Sequence, residues 1–130
     1  MRQHLLTALL CLVIPATAGA QSIARGKYIV EGTSMCNDCH TQRDDKGELI
    51  MSRALQGAPI GSQPIHPMPW AAVAPPIAGL PGNFTPAQMV TFLQTGKRPD
   101  GSTPRPPMPP YRFSRTDALS LTAYLQSLKK

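Results

Sequence analysis

The clearest apolar periodicity lies near the C-terminus, where Ala118, Leu121, Leu125 and Leu128 recur at helical spacing with Tyr124 beside them. Ser114 stands ahead of this run as a cap, and Asp117 supplies an acidic third position that favours the helix dipole. Lys129 and Lys130 suit the other end. A second helix is predicted over 86–95. Thr85 is a natural N-cap, Pro86 suits the first helical position, Gly96 suits the stop, and Met89, Phe92 and Leu93 form the apolar stripe. A third is predicted over 22–34, with Ser22 as its cap and Gly32 near its end. Ile23, Tyr28, Ile29 and Val30 would place apolar side chains on one broad face. Residues 41–83 and 97–113 read as loops rich in Pro and Gly, with no strand alternation and no internal repeat. The expected fold class is all-α: three or more helices joined by long irregular loops.

The first 20 residues follow a different grammar. Arg2 gives a short positive start, Leu5 to Ile14 is an apolar run, Pro15 ends it, and Ala18-Gly19-Ala20 supplies small residues for cleavage. That is the pattern of a secretory signal peptide. The alternative, a membrane anchor, needs about 20 apolar residues, and this run is shorter. Cys11 lies inside the run without a small residue before it, which disfavours a lipoprotein site. The expected division is therefore a signal peptide at 1–20, cleaved after Ala20, and one domain at 21–130 that is periplasmic and carries no transmembrane segment.

Charge narrows the choice of partner. The chain has 13 Lys and Arg against 7 Asp and Glu, a net charge of +6. The cations are scattered (Arg25, Lys27, Arg43, Arg53, Lys97, Arg98, Arg105, Arg112), with no basic run. Nucleic acid is a poor fit to an exported chain of this kind. An acidic protein partner fits better, and a merely solvated basic surface is the alternative.

Cys36-Asn37-Asp38-Cys39-His40 is a C-x-x-C-H motif. Two thiols at this spacing can add across the two vinyl groups of one haem, and the following histidine then lies under the iron as proximal ligand. A Cys36–Cys39 disulfide would leave His40 unexplained. A thioredoxin-like redox pair calls for a βαβ setting that the pattern lacks. A zinc site needs a fourth ligand, for which His66 is the one remaining candidate in 21–130. Covalent haem c is the expected cofactor. Its large apolar body would also give a core to a small, proline-rich domain that has 14 of the chain's 15 Pro and few large hydrophobes.

The iron's second axial position could be taken by His66, Met35, Met51, Met68, Met89 or Met108. Met35 adjoins Cys36 and cannot reach the opposite face. Met89 belongs to a helical stripe, where a core role is the simpler one. Met108 stands in Arg105-Pro106-Pro107-Met108-Pro109-Pro110, a stiffened loop suited to holding one thioether at fixed distance. Filling a gap in a turn is its alternative role.

These features together resemble the class I cytochromes c over nearly the whole of 21–130. Arg25-Gly26-Lys27-Tyr28 is similar to that family's N-terminal helix, where a glycine and an aromatic meet the last helix, and Tyr124 is similar to the aromatic on that last helix. Ala74-Pro75-Pro76-Ile77-Ala78-Gly79 resembles its Gly-Pro-x-Leu-x-Gly loop, with Ala74 in place of the glycine and a longer connection from His40. The resemblance implies that the Pro75 carbonyl accepts a hydrogen bond from the second nitrogen of His40, which would orient the ring and raise its basicity. It also places Met108 in the family's distal ligand loop. Within 41–70, which stands as an insertion, Trp70 could donate its indole N–H to a haem propionate or simply pack. The implied protein is a monohaem electron carrier, or an electron-accepting subunit of a periplasmic dehydrogenase, rather than an enzyme in its own right. The alternatives are a peroxidase-like haem enzyme, with His66 as its acid–base candidate, and a gas-binding haem sensor; both need an open sixth position.

Overall fold

Each helix in the computed structural model, which describes residues 18–129, can be traced to a local signal. The regular secondary structure of the described residues is mostly helical. Helix α1 (Ala18–Tyr28) continues into a π-helical turn, Ile29–Thr33, and the short α2 (Cys36–His40) follows at once. A 3₁₀ turn (Met51–Arg53), then strands β1 (Ala58–Pro59) and β2 (Val73–Ala74), punctuate the long middle segment. Helices α3 (Pro86–Thr95) and α4 (Arg115–Ser127) complete the order. No described helix is long and apolar enough to cross a membrane. The apolar run Leu5–Ile14, and with it most of the expected signal peptide, lies outside the described residues. The Ala20–Gln21 bond falls within α1.

Helices α3 and α4 end where their caps dictate. The Gln88 N–H donates to Thr85 Oγ1 at 3.2 Å and the Thr85 N–H donates to Gln88 Oε1 at 2.9 Å. This reciprocal capping box satisfies two otherwise orphaned donors. Gly96 closes α3 in the left-handed region at φ 68°, a conformation that costs other residues more. At α4 the Asp117 N–H donates to Ser114 Oγ at 3.1 Å.

The N-terminal helix departs from expectation. Its described part starts at Ala18, so Ser22 is an interior position and not the cap. Ala18 and Ala20 are strong helix formers that carry the helix upstream. Gly32 lies inside the π turn and does not stop it. The apolar face is narrower too. Ile29 and Val30 are buried, whereas Ile23 is 40% and Tyr28 58% exposed. The stripe that packs runs Gly26, Ile29, Val30; Tyr28, two positions on from Gly26, faces away and lies against the Arg25 guanidinium, 5.7 Å from its ring centre.

The terminal helices α1 and α4 form the most extensive contact in the fold, and α3 also packs on α4. Gly26 makes that approach possible. A Cβ there would run into the Ser120 carbonyl oxygen and come within 2.7 Å of Tyr124 Cβ. Val30, Ala118, Leu121, Tyr124 and Leu125 close the seam, and Leu55, Ile77, Met89 and Leu93 extend the same core. Around its rim, Arg25 Nε bonds Asp117 Oδ1 at 3.0 Å, the Tyr124 hydroxyl donates to Glu31 Oε1 at 2.6 Å, and Lys27 Nζ pairs with Glu31 Oε2 at 2.5 Å.

Strands β1 and β2 pair antiparallel, Ala58 opposite Ala74 and Pro59 opposite Val73. At two residues each they are too short for alternation to appear in the sequence, so the all-α expectation is corrected by one small ribbon.

Two outcomes follow. Gly26→Ala should destabilise the protein by about 1–3 kcal/mol, because the new methyl group meets backbone that cannot yield; chemical denaturation measures it. The second concerns acid. Lys27 and then Tyr124 hold the Glu31 carboxyl below its ordinary pKa, and Arg25 does the same for Asp117. The folded state therefore binds fewer protons than the unfolded chain in the acidic range. This stabilisation is complete above the ordinary carboxylate range and disappears as pH falls through the lowered folded values. Stability measured against pH should fall over that window, and less steeply in a Glu31→Gln, Asp117→Asn double variant.

Candidate cofactor site

Helix α2 carries the C-x-x-C-H motif on one tight turn. Met35, left-handed at φ 48°, turns the chain into it from the π-helical segment. Cys36 is part-buried, Cys39 is exposed, and the two thiols are not joined to each other. Burial pushes the Cys36 thiol up to about 11. An attacking redox thiol has the opposite shift, and the described elements around the motif form no βαβ unit of the thioredoxin kind.

His40 is 6% exposed and its Nδ1 lies 2.7 Å from the Pro75 carbonyl oxygen. A carbonyl can only accept, so Nδ1 carries the proton and Nε2 is left with a free lone pair. Burial lowers the His40 pKa, offset in part by the Pro75 bond, and keeps the ring neutral as a metal ligand must be. The bond that the family resemblance implied is thus present, across 35 residues of chain.

The backbone between Leu55 and Ala58 brings Pro75 to His40. The Leu55 N–H donates to Thr41 Oγ1 at 2.9 Å, and the Leu55 carbonyl accepts from the N–H groups of Ile77 and Ala78 at 2.8 and 3.0 Å. The Gly57 N–H donates to the His40 carbonyl at 2.8 Å, and Ala58 pairs with Ala74, next to Pro75. Two positions here use the left-handed region. Leu55 does so at φ 60°, at a cost on the order of 1–2 kcal/mol, and is held by bonds at both its amide and its carbonyl. Gly57 does so at φ 87°, where a Cβ would sit 3.0 Å from both the Ala74 carbonyl oxygen and the Pro76 nitrogen. Thr41 in turn donates to Asn37 Oδ1 at 2.8 Å, a buried link back into α2.

Beside α2 opens a cavity of about 780 Å³, within the range that holds small molecules and cofactors. Cys36, Cys39, His40, Trp70, Pro75 and Met108 all line it. The sequence therefore named six residues, drawn from three separate segments, that share one wall. Of the other sixth-ligand candidates, Met35 and Met89 also line the cavity, whereas Met51, Met68 and His66 do not. Met89 is 4% exposed and belongs to the core. Met51 and Met68 are about half exposed, at 55% and 48%. Among the described residues no group of three His, Cys, Asp or Glu side chains comes together as a metal-binding set, so a zinc centre that joins His66 to the motif is not assembled.

Trp70 requires a correction. Its indole N–H donates to the Ser62 carbonyl at 2.9 Å. The loop closes on itself and consumes the donor, so the side chain contributes its ring to the cavity wall and not a free N–H to a propionate. Positive charge is supplied elsewhere: Arg98 and Arg105 line the cavity, and no Asp or Glu does among the described residues. In the sequence both arginines stand only among scattered charge. Thr41 and Leu55 carry no signal there, and Gly57 only marks the start of a stretch rich in Pro and Gly.

The residues fit a covalently held haem on three counts: two unpaired thiols, a neutral imidazole with one nitrogen engaged, and an apolar cavity that carries cations but no carboxylate. Comparison with known proteins gave no match, either among family models or among curated sequences.

Proposed function

We propose that this chain is an exported monohaem cytochrome of the class I type that carries single electrons, as a free carrier or as an electron-accepting subunit of a periplasmic dehydrogenase. The observation that supports it most is the meeting of Cys36, Cys39, His40 and Met108 on one cavity while Pro75 engages Nδ1 of His40. Cys36 and Cys39 would hold the haem through thioethers, each sulfur bonding one vinyl carbon as its hydrogen goes to the other. His40 and Met108 would hold its iron. The bound haem supplies the one-electron iron couple.

The protein's own groups then do three things. Pro75 fixes the tautomer of His40 and strengthens it as a donor. Met108, a thioether on a stiff loop, favours the ferrous state and raises the potential. Arg98 and Arg105 give the cavity wall a positive field that suits anionic carboxylates. Exposed arginines at positions 43, 53, 105, 112 and 115 favour an acidic docking partner, with an association rate that falls as salt rises. A peroxidase-like enzyme needs a distal acid–base group; its candidate, His66, is exposed and outside the cavity.

Two experiments test the reading. Replacing both Cys36 and Cys39 by Ser should abolish haem staining on a denaturing gel; a stained band would refute covalent attachment. Met108→Ala should keep the haem attached, remove the red charge-transfer band of a methionine-bound ferric haem, admit carbon monoxide and cyanide, and lower the potential. An unaltered spectrum would leave the gas-sensor and enzyme alternatives standing.

A further inference from the structure

We infer that Tyr111 is a positioning residue that latches the Met108 loop across the cavity, and that its hydroxyl bond to the Ser34 carbonyl limits how readily small ligands displace Met108. The inference rests on the proposed role of Met108. Prolines at 106, 107, 109 and 110 have no N–H, so the loop has few donors with which to anchor itself. The Met108 N–H reaches only the Arg105 carbonyl, at 3.3 Å, and the Tyr111 N–H only the Pro109 carbonyl, at 3.0 Å. Both bonds stay inside the loop.

Next door, the Arg112 guanidinium donates to the Pro110 and Tyr111 carbonyls at 3.0 and 2.8 Å; among the described residues, two further hydrogen bonds tie 105–111 to segments distant in sequence. One is the Ala71 N–H to the Pro106 carbonyl, at 2.8 Å. The other is the Tyr111 hydroxyl to the Ser34 carbonyl, at 3.0 Å and 77 residues distant in sequence. Ser34 stands two residues before Cys36 and lines the same cavity as Tyr111 and Met108. The Tyr111 bond therefore joins the distal loop directly to the segment that delivers the cysteine motif. The ring itself is held independently. It stacks on Phe113, with centres 4.9 Å apart and planes at 23°, and Phe113 packs on the core. Removing the hydroxyl alone should loosen the loop without removing the ring.

The experiment uses the haem-loaded protein. Tyr111→Phe should retain covalent haem and helical circular dichroism, yet ferric protein should bind cyanide about two- to tenfold faster, the range one net hydrogen bond supplies. Arg25→Gln, which breaks the α1–α4 rim contact far from the loop, serves as the control for general loosening and should bind at the unaltered rate. Two results would overturn the latch: Tyr111→Phe binding cyanide no faster than the parent while Met108→Ala binds it freely, or Arg25→Gln accelerating binding as much as Tyr111→Phe. If Met108→Ala itself shows the parent spectrum and rate, Met108 is not the distal ligand and the latch falls with that reading.

Discussion

The hydrogen bond from His40 to the Pro75 carbonyl is the contact on which the rest of the site depends. It decides which imidazole nitrogen can bind a metal, and it can form only if residues 35 apart are brought to 2.7 Å. Local propensity cannot do that. The strap from Leu55 to Ala58 does, by bonding α2 on one side, through Thr41 Oγ1 and the His40 carbonyl, and the Pro75 segment on the other. The strap is itself costly, since it needs a buried leucine in the left-handed region and a glycine with no room for a side chain. Such a conformation persists only where neighbours over-determine it. Here every polar group of Leu55 has a long-range partner, and its side chain is 1% exposed.

Behind that strap stands the α1–α4 seam. It is built on the absence of a side chain at Gly26, and it carries the heaviest packing in the molecule. Its consequence for the site is indirect but physical. The π-helical turn at the end of α1 supplies Ile29 and Val30 to the core and then passes directly into Met35 and α2. The orientation of the cysteine motif is thus inherited from the terminal helices, while the position of its partner carbonyl is inherited from the middle loop. Two independent supports meet at His40.

Much of this was legible in the sequence, because it is written in local chemistry. The caps at Thr85 and Ser114, the stop at Gly96 and the buried face of α4 each depend on residues within one or two turns. Cys36, Cys39 and His40 are a contiguous motif. The failures are equally instructive. Tyr28 is apolar by composition but faces away from the seam, because the packing stripe is set by Gly26, and a glycine adds nothing to a hydrophobic pattern. Ser22 looked like a cap, yet Ala18 and Ala20 carry the helix past it. Trp70 offered a donor whose real partner, Ser62, is fixed by a loop closure that no periodicity encodes. Leu55 gave no signal, since a lone leucine in a loop does not announce a left-handed backbone.

The His40 side of the cavity, proximal in the proposed reading, and the Met108 side, distal in it, are consequently built by different means. On the proximal side, α2, the strap and β2 share at least five interlocking backbone or near-backbone bonds, from Thr41, Leu55, Gly57 and Ala58 to their partners. Loss of one leaves the others in place. On the distal side, prolines supply stiffness but remove donors, so shape is retained while anchorage is scarce. Stiffness within the loop and attachment of the loop are separate properties. A polyproline segment can keep Met108 in a fixed local geometry and still move as a body if its few ties are cut. That asymmetry gives the two residues different characters: His40 is held by redundancy, and Met108 by a rigid arm with few long-range ties.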